Sequence, residues 1–464
     1  MSSRCCAGPG RRWGFRPSRC RRSGRVATRP VSSGSEGSGP ELAVSASERG
    51  GPPGSGSLMR GRRGLSGLLA GATGLVAVGL LAPTSSLERL ELQTHDLRFR
   101  LRGPRPTQAR IVIGAIADST MIAWEEPRIL WGPRYAQVIE QAHRAGVTWI
   151  GLDFIHSVSG DPYAPAAWSQ AGRPLPDQQF AHALAASRRV VLSYLGGIAV
   201  AGEGGTRTTA ARFTPIPALL FAHEEQPLNL GFVQLRRETD EAIRRGAVYN
   251  EEQGNPLPSL VAVLALRTWG SSPADPALVR RLADPRLVKP GTGSMWINYL
   301  RLEGEAFPQI PLEQLARGRL TAEQRALLKG AILLIGPTSP ADNDLHRAPG
   351  GRTLSGVEIN AHHLATLVDD RPLQRAARSS EAWVAVGFGL IALVTVLLLP
   401  FQSGLALLSG VLLFWIGLAI ALFQSDIVLP MVAPVLAAAS TWSLVQIVRS
   451  VEERGRREHV ERVW

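Results

Sequence analysis

Three apolar segments lie close together near the end of the chain, and they constrain its fold more than any other feature. They cover residues 382–399, 405–423 and 427–447, and none of them contains a charged residue. Each is close to the roughly 20 apolar residues that a helix needs to cross the hydrocarbon core of a bilayer. We therefore predict three transmembrane helices in this part of the chain.

A fourth apolar segment, residues 65–82, precedes the central part of the chain. Three arginines lie directly before it, at residues 60–63. The positive-inside rule places such a basic flank in the cytoplasm, which puts residues 83–381 outside the cytoplasm and the basic residues 448–464 back inside it. We predict a multi-pass membrane protein with both termini cytoplasmic. A cleaved signal peptide is the alternative interpretation of this first segment.

Residues 1–64 carry most of the net charge of the chain. They hold 13 arginines against 3 glutamates, which supplies +10 of the formal net charge of +13. With few apolar residues this segment cannot form a core, so we interpret it as a disordered basic cytoplasmic tail and predict no nucleic-acid binding. All cysteines lie in this tail, so no disulfide is expected elsewhere. Met59 precedes the basic cluster and the first apolar segment, which is typical of a membrane-targeting start and makes residues 1–58 a dispensable extension or a misassigned start.

The central part of the chain alternates between strand and helix patterns. Residues 111–117 form a short run of branched apolar residues, as in a strand that is buried on both faces. Apolar residues then recur at helical spacing from Pro133 to Gly146, and a second strand pattern follows at residues 147–155. A strand, a helix and a strand in succession indicate parallel strands joined by a crossover. We predict an α/β domain with a mostly parallel sheet over residues 83–381.

Capping-box spacing predicts the start of two further helices. Thr321 is followed by Gln324, and Ser355 is followed by Glu358, each three residues later. In such a pair the two side chains satisfy backbone N–H groups of the first helical turn.

Asp118 and Asp153 directly follow two of the predicted strands. Ligands of open parallel sheets bind beyond the carboxyl ends of the strands. If the two strands are neighbours, both carboxylates share one edge of the sheet, and Arg134 at the start of the intervening helix is a candidate counter-charge. His156 is a candidate for the same ligand-binding site. An acid–base pair is the alternative, but no nucleophile motif accompanies it, so we predict no enzymatic activity.

A few more polar residues are candidates for the same edge. Asn298 and Tyr299 either reach it or satisfy buried backbone groups. Asp342 and Asp344 stand at alternate positions in the segment GPTSPADND, a pattern compatible with Ca²⁺ or Mg²⁺ ligation. Because the twelve-residue calcium-loop pattern is missing, we predict no metal and no other cofactor. Asp344 remains a candidate ligand-binding residue, and a role in forming the turn is the structural alternative.

Several segments of the central domain together carry a family resemblance. They include THDLRFRLRG (94–103), IVIGAIADST (111–120), WGPRYAQVIEQAHRAGVTWIGLDF (131–154) and AILLIGPTSPADNDLHRAPGG (331–351). They resemble the CHASE type 2 domain, an extracytoplasmic sensory domain of bacterial receptors. The resemblance implies an inner-membrane receptor whose membrane helices pass a signal to a cytoplasmic cyclase or kinase, and it implies no chemistry in the sensor. Ala117 stands where the family usually has the first of two acids.

These observations predict a bacterial membrane sensor for an unknown extracytoplasmic ligand. Its partners are the lipid bilayer, a cytoplasmic cyclase or kinase, and a second copy of the chain if it acts as a homodimer. The family usually begins its output domain after the last membrane helix, where this sequence has only residues 448–464. We therefore expect the effector on another chain or on a continuation of this one. The alternative is a membrane-anchored interaction or scaffold protein without signalling output.

Overall fold

The computed structural model describes residues 71–72 and 85–464 with a few gaps. The gaps are residues 167, 169–171, 197–198, 202–206, 210–211, 253, 283–291 and 376. The predictions for the tail 1–64, including the start at Met59, lie outside the described residues. So does the first apolar segment, residues 65–82, apart from Gly71 and Ala72, which are helical.

The domain is built around a central sheet of six parallel strands. The strands of the molecule are β1 (Ile111–Ile116), β2 (Trp149–Leu152), β3 (Val190–Tyr194), β4 (Ala199–Ala201), β5 (Arg207–Thr209), β6 (Leu230–Phe232), β7 (Leu235–Arg236), β8 (Arg245–Glu252), β9 (Asn255–Pro258), β10 (Thr292–Trp296), β11 (Gln309–Pro311), β12 (Ile332–Pro337), β13 (Leu345–Arg347), β14 (Thr353–Ser355), β15 (Gln374–Arg375) and β16 (Ile427–Val428). The central sheet has the order β11-β1-β12-β2-β3-β6, and each neighbouring pair is parallel. The predicted α/β fold with a mostly parallel sheet is confirmed.

Helices cover both faces of this sheet. The helices of the domain are α1 (Ser85–Arg102), α2 (Asp118–Ala123), α3 (Gly132–Arg144), α4 (Pro176–Ser187), α5 (Pro217–Leu220), α6 (Leu260–Thr268), α7 (Pro276–Arg281), α8 (Leu312–Ala316), α9 (Ala322–Leu328) and α10 (Gly356–Val368). Ile139 of α3 and Leu184 of α4 pack on one face with Leu333 of β12, whereas Leu264 of α6 packs on the other face with Leu334. Successive strand residues thus point into opposite cores, as the pleat requires.

The strands that carry Asp118 and Asp153 at their ends are not neighbours. β12 lies between β1 and β2, with Leu333 beside Val112 on one side and Ile150 on the other. All six residues of β12 are buried, because this wholly apolar strand occupies the centre of the sheet. Asp118 and Asp153 therefore do not lie on neighbouring strands, as the prediction of a shared edge position required.

A second, antiparallel sheet extends the domain and was not predicted from the sequence. It has the order β10-β8-β7, and β9 pairs with β8. The remaining strands form three short pairs, β4–β5, β13–β14 and β15–β16. The last of these pairs joins a strand that precedes the membrane helices to one that lies between two of them, so it fastens the domain to a membrane turn.

Three described helices are long and apolar enough to cross a membrane, whereas the sequence predicted four spans. They are α11 (Arg378–Leu398), α12 (Phe401–Phe423) and α13 (Val432–Val463). The predicted span 427–447 begins too early, because residues 427–428 form β16 and Pro430 interrupts the chain before α13 starts. α13 also continues through the predicted tail 448–464, which is helical to Val463.

One described glycine of the first apolar segment lies against α11. A Cβ atom at Gly71 would come within 2.6 Å of Cδ1 of Leu393. Small residues allow the backbones of membrane helices to approach closely in this way.

Candidate functional site

The carboxyl end of the central sheet is crossed by the loop of residues 338–344, which follows β12. The hydroxyl of Ser339 donates a hydrogen bond to Asp118, the first residue of α2. The guanidinium of Arg128 donates two hydrogen bonds to Asp342, at 2.7 and 3.1 Å. The loop therefore ties the end of β12 to the segment that follows β1, and Asp118 contributes to this tie.

Asp153 lies at the end of β2 and is 9% exposed. Its backbone N–H donates to the carbonyl of Ile335 in β12 at 2.7 Å, and its Oδ2 accepts a hydrogen bond from Nδ2 of Asn360 on α10 at 2.9 Å. Burial raises the pKa of the Asp153 carboxyl to about 7, although the hydrogen bond from Asn360 acts in the opposite direction. A carboxyl that titrates near neutral pH at a strand end is a candidate functional group.

Asp344 approaches the same end of α10. A Cβ atom at Gly356, the first residue of this helix, would come within 2.5 Å of Oδ2 of Asp344. The other carboxylate oxygen lies 2.9 Å from Nε2 of His346. The charge of Asp344 also contributes to the raised pKa of Asp153, while His346 lowers it. Asp153, Asp344 and Asn360 are thus brought together where α10 begins, and we define them as the strand-end site.

Arg134 does not balance the charge of Asp118 or Asp153. Its Nε donates a hydrogen bond to Oε1 of Glu126 at 2.6 Å. Glu126 lies in the loop that leads into α3, so a nearby partner on the same segment holds this arginine. Among the described residues, Arg134 therefore does not supply the expected counter-charge for Asp118 or Asp153.

His156 belongs to a separate cluster around Asp177, at the start of α4. Nε2 of His156 lies 2.8 Å from Oδ1 of Asp177, and Oδ2 of Asp177 accepts hydrogen bonds from the Ser159 hydroxyl at 2.6 Å and the Gly160 N–H at 2.9 Å. These donors keep the pKa of Asp177 below its ordinary value, although burial acts against them. Serine and histidine both bind the aspartate and not each other, so the order of a hydrolytic triad is not present here.

Asp177 is expected to anchor the loop of residues 156–161. We predict that Asp177→Ala lowers the free energy of unfolding by about 3 kcal/mol, because buried donors lose their acceptor. Asp275→Ala is the control: Asp275 is an exposed acid that caps α7, and its loss should cost about 1 kcal/mol. Thermal unfolding of the full chain in lipid nanodiscs measures both variants. Equal losses in the two variants would contradict the anchoring role.

Asn298 and Tyr299 lie away from the strand-end site, on the side of the domain that meets the membrane helices. Nδ2 of Asn298 donates to Oδ1 of Asp426 at 2.7 Å and to the carbonyl of Arg371 at 2.9 Å. The Tyr299 hydroxyl donates to the carbonyl of Ile243 at 2.7 Å. Tyr299 therefore satisfies a backbone carbonyl, the structural alternative, whereas Asn298 contacts a membrane turn.

Within the described ranges, no group of three or more His, Cys, Asp or Glu side chains could hold a metal ion. His362 and His363 on α10 are both buried, and burial lowers the pKa of each to about 3, so both are neutral. Nδ1 of His362 accepts a hydrogen bond from the Leu300 N–H at 3.3 Å, which gives this histidine a structural role.

The turn between α12 and α13 is held by a second polar cluster. Glu91 on α1 accepts hydrogen bonds from the N–H groups of Met431, at 3.0 and 3.1 Å, and Val432, at 2.8 Å, where α13 begins. Arg98 on α1 donates to Oε1 of Glu91 at 2.8 Å and to the carbonyl of Leu429 at 2.9 Å. The Arg98 side chain is fully buried and that of Glu91 is 9% exposed. A carboxylate here caps α13 and complements its helix dipole.

Asp426 forms a second polar group at the same turn. Its carboxylate pairs with Arg105, with Arg371 at 3.1 Å, and with Asn298. Its backbone has a φ of 66°, a left-handed conformation that aspartate tolerates better than most residues. The carbonyl of Asp426 accepts a hydrogen bond from Gln374 at 2.7 Å.

A third group, an ion pair, holds the start of α11. Arg375 donates two hydrogen bonds to Glu381, at 2.7 and 3.2 Å, and both side chains are largely buried. We call the three groups around Glu91, Asp426 and Glu381 the membrane-proximal network. This network was not predicted from the sequence. The sequence signal that could have indicated it is the set of charges in α1, where the buried charged residues Glu91 and Arg98 stand directly before the buried apolar residues Leu92 and Phe99.

Comparison with known proteins identifies one family. A family model described as CHASE2 domain matches residues 72–399, which covers the central domain and α11. No curated protein and no solved structure matches the chain. CHASE2 domains are extracytoplasmic sensor domains.

Proposed function

Because the chain belongs to the CHASE2 domain family, we propose that it is a receptor that passes an envelope signal through its membrane helices to a cytoplasmic cyclase or kinase. The chain combines a sensor-family domain with three helices that are apolar enough to span a membrane. We place the signal-receiving site at the strand-end site and both termini in the cytoplasm, in agreement with the two basic flanks of the spans.

The membrane-proximal network is the observation that supports this proposal most. α1 directly follows the first predicted span, and its Glu91 caps the last membrane helix. The same helix packs through Leu92 and Phe99 into a core with Phe423 of α12 and Val428 of β16. A displacement of α1 would therefore act on α12 and α13 at once, because packed cores and buried ion pairs do not deform continuously.

α10 connects the strand-end site to this network. Asn360 of α10 contacts Asp153, and Oγ1 of Thr366 on the same helix accepts a hydrogen bond from the Asn298 N–H at 3.0 Å. Asn298 in turn binds Asp426. The two contact points are roughly 9 Å apart along the helix, and a helix is rigid over that distance. A ligand-dependent shift of α10 thus has a direct mechanical route to the turn between α12 and α13.

α13 provides the route through the membrane. Its 32 residues span about 48 Å, which exceeds the roughly 30 Å of a hydrocarbon core. It begins at Val432, whose N–H donates to Glu91 of α1, and its residues after 450 are polar and exposed. One helix therefore joins the network to the side of the membrane where we place the effector.

A reporter fusion tests the proposed transmission. The chain is joined at Trp464 to an adenylate cyclase catalytic domain and expressed in bacteria without their own cyclase, and cyclic AMP is measured. Asp426→Asn is expected to change basal output roughly fivefold or more, since Arg105 and Arg371 lose their carboxylate and couplings of this kind amount to 1–3 kcal/mol.

The matched control for this fusion is Asp370→Asn. Asp370 also has a left-handed backbone, with a φ of 49°, but its side chain is exposed. The control is expected to give wild-type output. If Asp426→Asn gives the same output as the wild type at equal membrane levels, transmission through this turn is contradicted, and the scaffold alternative gains support.

A further inference from the structure

A second candidate ligand site lies between the N-terminal ends of α3 and α4. The loops that lead into these helices border an open cavity of about 590 Å³, well within the range of small-molecule sites. Its lining includes Arg134, Arg173 and Glu126, and no residue of the strand-end site. The cavity is therefore a different place from the edge around Asp153.

Two neighbours orient Arg134 at this cavity, and its side chain is 37% exposed. Glu126 holds its Nε at 2.6 Å, and its guanidinium carbon lies 5.8 Å from the ring centre of the buried Trp124. Neither terminal Nη nitrogen has a hydrogen-bond partner among the described residues. An arginine that is oriented through its Nε and keeps two terminal donors can bind an oxyanion.

The cavity also has a positive electrostatic bias. Arg173 has no acidic partner within the described ranges, so the two arginines outweigh the single glutamate of the lining. α3 begins beside the cavity at Gly132, and its first turn has neither a side-chain cap nor an acidic residue. The partial positive charge of this helix end adds to that of the arginines.

The remaining lining indicates the body of the ligand. Trp168 offers a large apolar surface, and Gln137 offers an amide donor and acceptor. Nε2 of Gln179 donates to the Pro174 carbonyl at 2.7 Å, which leaves its amide oxygen and its second N–H for a ligand. We propose that this cavity binds a small hydroxylated ring that carries an acidic group, as in sugar acids and sugar phosphates. A role of this ligand as a signal rests on the proposed function, whereas its binding can be measured independently of signalling.

Binding to the full chain in phosphatidylcholine nanodiscs tests this inference. Glucuronate, glucose 6-phosphate and glucose are titrated by isothermal calorimetry. The three probes compare a ring with a carboxylate, a ring with a phosphate and a neutral ring. At least one acidic probe is expected to bind about tenfold or more tightly than glucose. Arg134→Gln and Arg173→Gln are each expected to weaken that binding about tenfold or more.

Arg144→Gln is the matched control. Arg144 lies on α3 like Arg134 and also pairs with a glutamate, Glu140, at 2.5 Å, but it lines a neighbouring cavity instead of this one. The control should bind like the wild type. Because Arg173 is exposed, its variant should fold even if Arg134→Gln does not. Equal binding of glucose, no effect of Arg173→Gln, or no binding of either acid up to about 20 mM would overturn the proposal. Any of these results leaves the reporter experiment unaffected.

Discussion

Glu91→Ala is expected to destabilise the protein by roughly 3–5 kcal/mol, the largest loss that we predict for a single substitution. The variant leaves the fully buried Arg98 without its carboxylate. It also removes the acceptor for the N–H groups of Met431 and Val432, at the start of α13. Both losses act at the junction between the sensor domain and the last membrane helix. Thermal unfolding of the full chain in nanodiscs measures the effect.

Two further variants separate the causes of this loss. Glu91→Gln keeps an acceptor for the N–H groups of α13 but removes the charge, so an intermediate loss is expected. Arg98→Met in the Glu91→Ala background removes the unpaired cation, and we expect part of the stability to return. If the double variant is as unstable as Glu91→Ala alone, the uncompensated charge is not the cause.

The exposed pair of Glu140 and Arg144 provides the control. These side chains are more than half exposed and lie four residues apart on α3. Glu140→Ala should cost less than about 0.5 kcal/mol, because exposed ion pairs contribute little. A melting temperature of Glu91→Ala within about 1 °C of the wild type would contradict a structural role for the membrane-proximal network.

The features that the sequence could predict are local ones. The run of branched apolar residues at 111–117 predicted a strand buried on both faces, and it forms β1, in which all six residues are buried. The capping boxes at Thr321 and Ser355 also form as predicted, with Gln324 and Glu358 binding back to the residue before each helix. In both cases the pattern lies within a few residues, where helix and strand geometry alone set the spacing.

Features that depend on distant partners could not be predicted. The hydrogen bond from Met431 to Glu91 joins residues 340 positions apart, and no local pattern in either segment specifies the other. The same applies to the place of β12 between β1 and β2, since parallel strands are joined by crossovers that can skip a neighbour. Asp153 was found as a strand-end acid, but its partner Asn360 lies 207 positions away. The prediction therefore identified the acid and could not supply its surroundings.

Asp153→Asn is expected to stabilise the protein at alkaline pH. The pKa of this carboxyl rises from an ordinary value of 3.8 to about 7 on folding, mainly through burial. The folded state therefore binds more protons than the unfolded state between these two values. Ionisation of Asp153 therefore does not lower the free energy of unfolding below about pH 4. As the pH rises through 7, the free energy of unfolding falls by a total of roughly 4 kcal/mol.

Asparagine avoids this loss because it is neutral at every pH and still offers an oxygen to Nδ2 of Asn360. Relative to the wild type, the variant should gain up to about 4 kcal/mol at pH 8 and almost nothing at pH 4. Unfolding is followed by thermal denaturation across this range. Asp275→Asn, at an exposed helix cap, is the control, and its difference from the wild type should stay constant between about pH 5 and 8. If the stability of Asp153→Asn differs from that of the wild type by the same amount at every pH, the raised pKa is contradicted.

The same variant relates the titration of Asp153 to signalling. Because burial raises the pKa of Asp153 to about 7, its charged and neutral forms are both populated near neutral pH. A change of external pH, or a ligand that favours one form, therefore shifts the population at the start of α10. In the cyclase fusion, wild-type output should therefore vary between about pH 6 and 8, whereas Asp153→Asn output should not. If the stability profile changes as expected but both outputs respond equally to pH, Asp153 is a buried acid of the fold and the signal enters elsewhere. Because Asn360 contacts Asp153 directly, a pH-independent output in Asp153→Asn would instead assign the first step of transmission to this hydrogen bond.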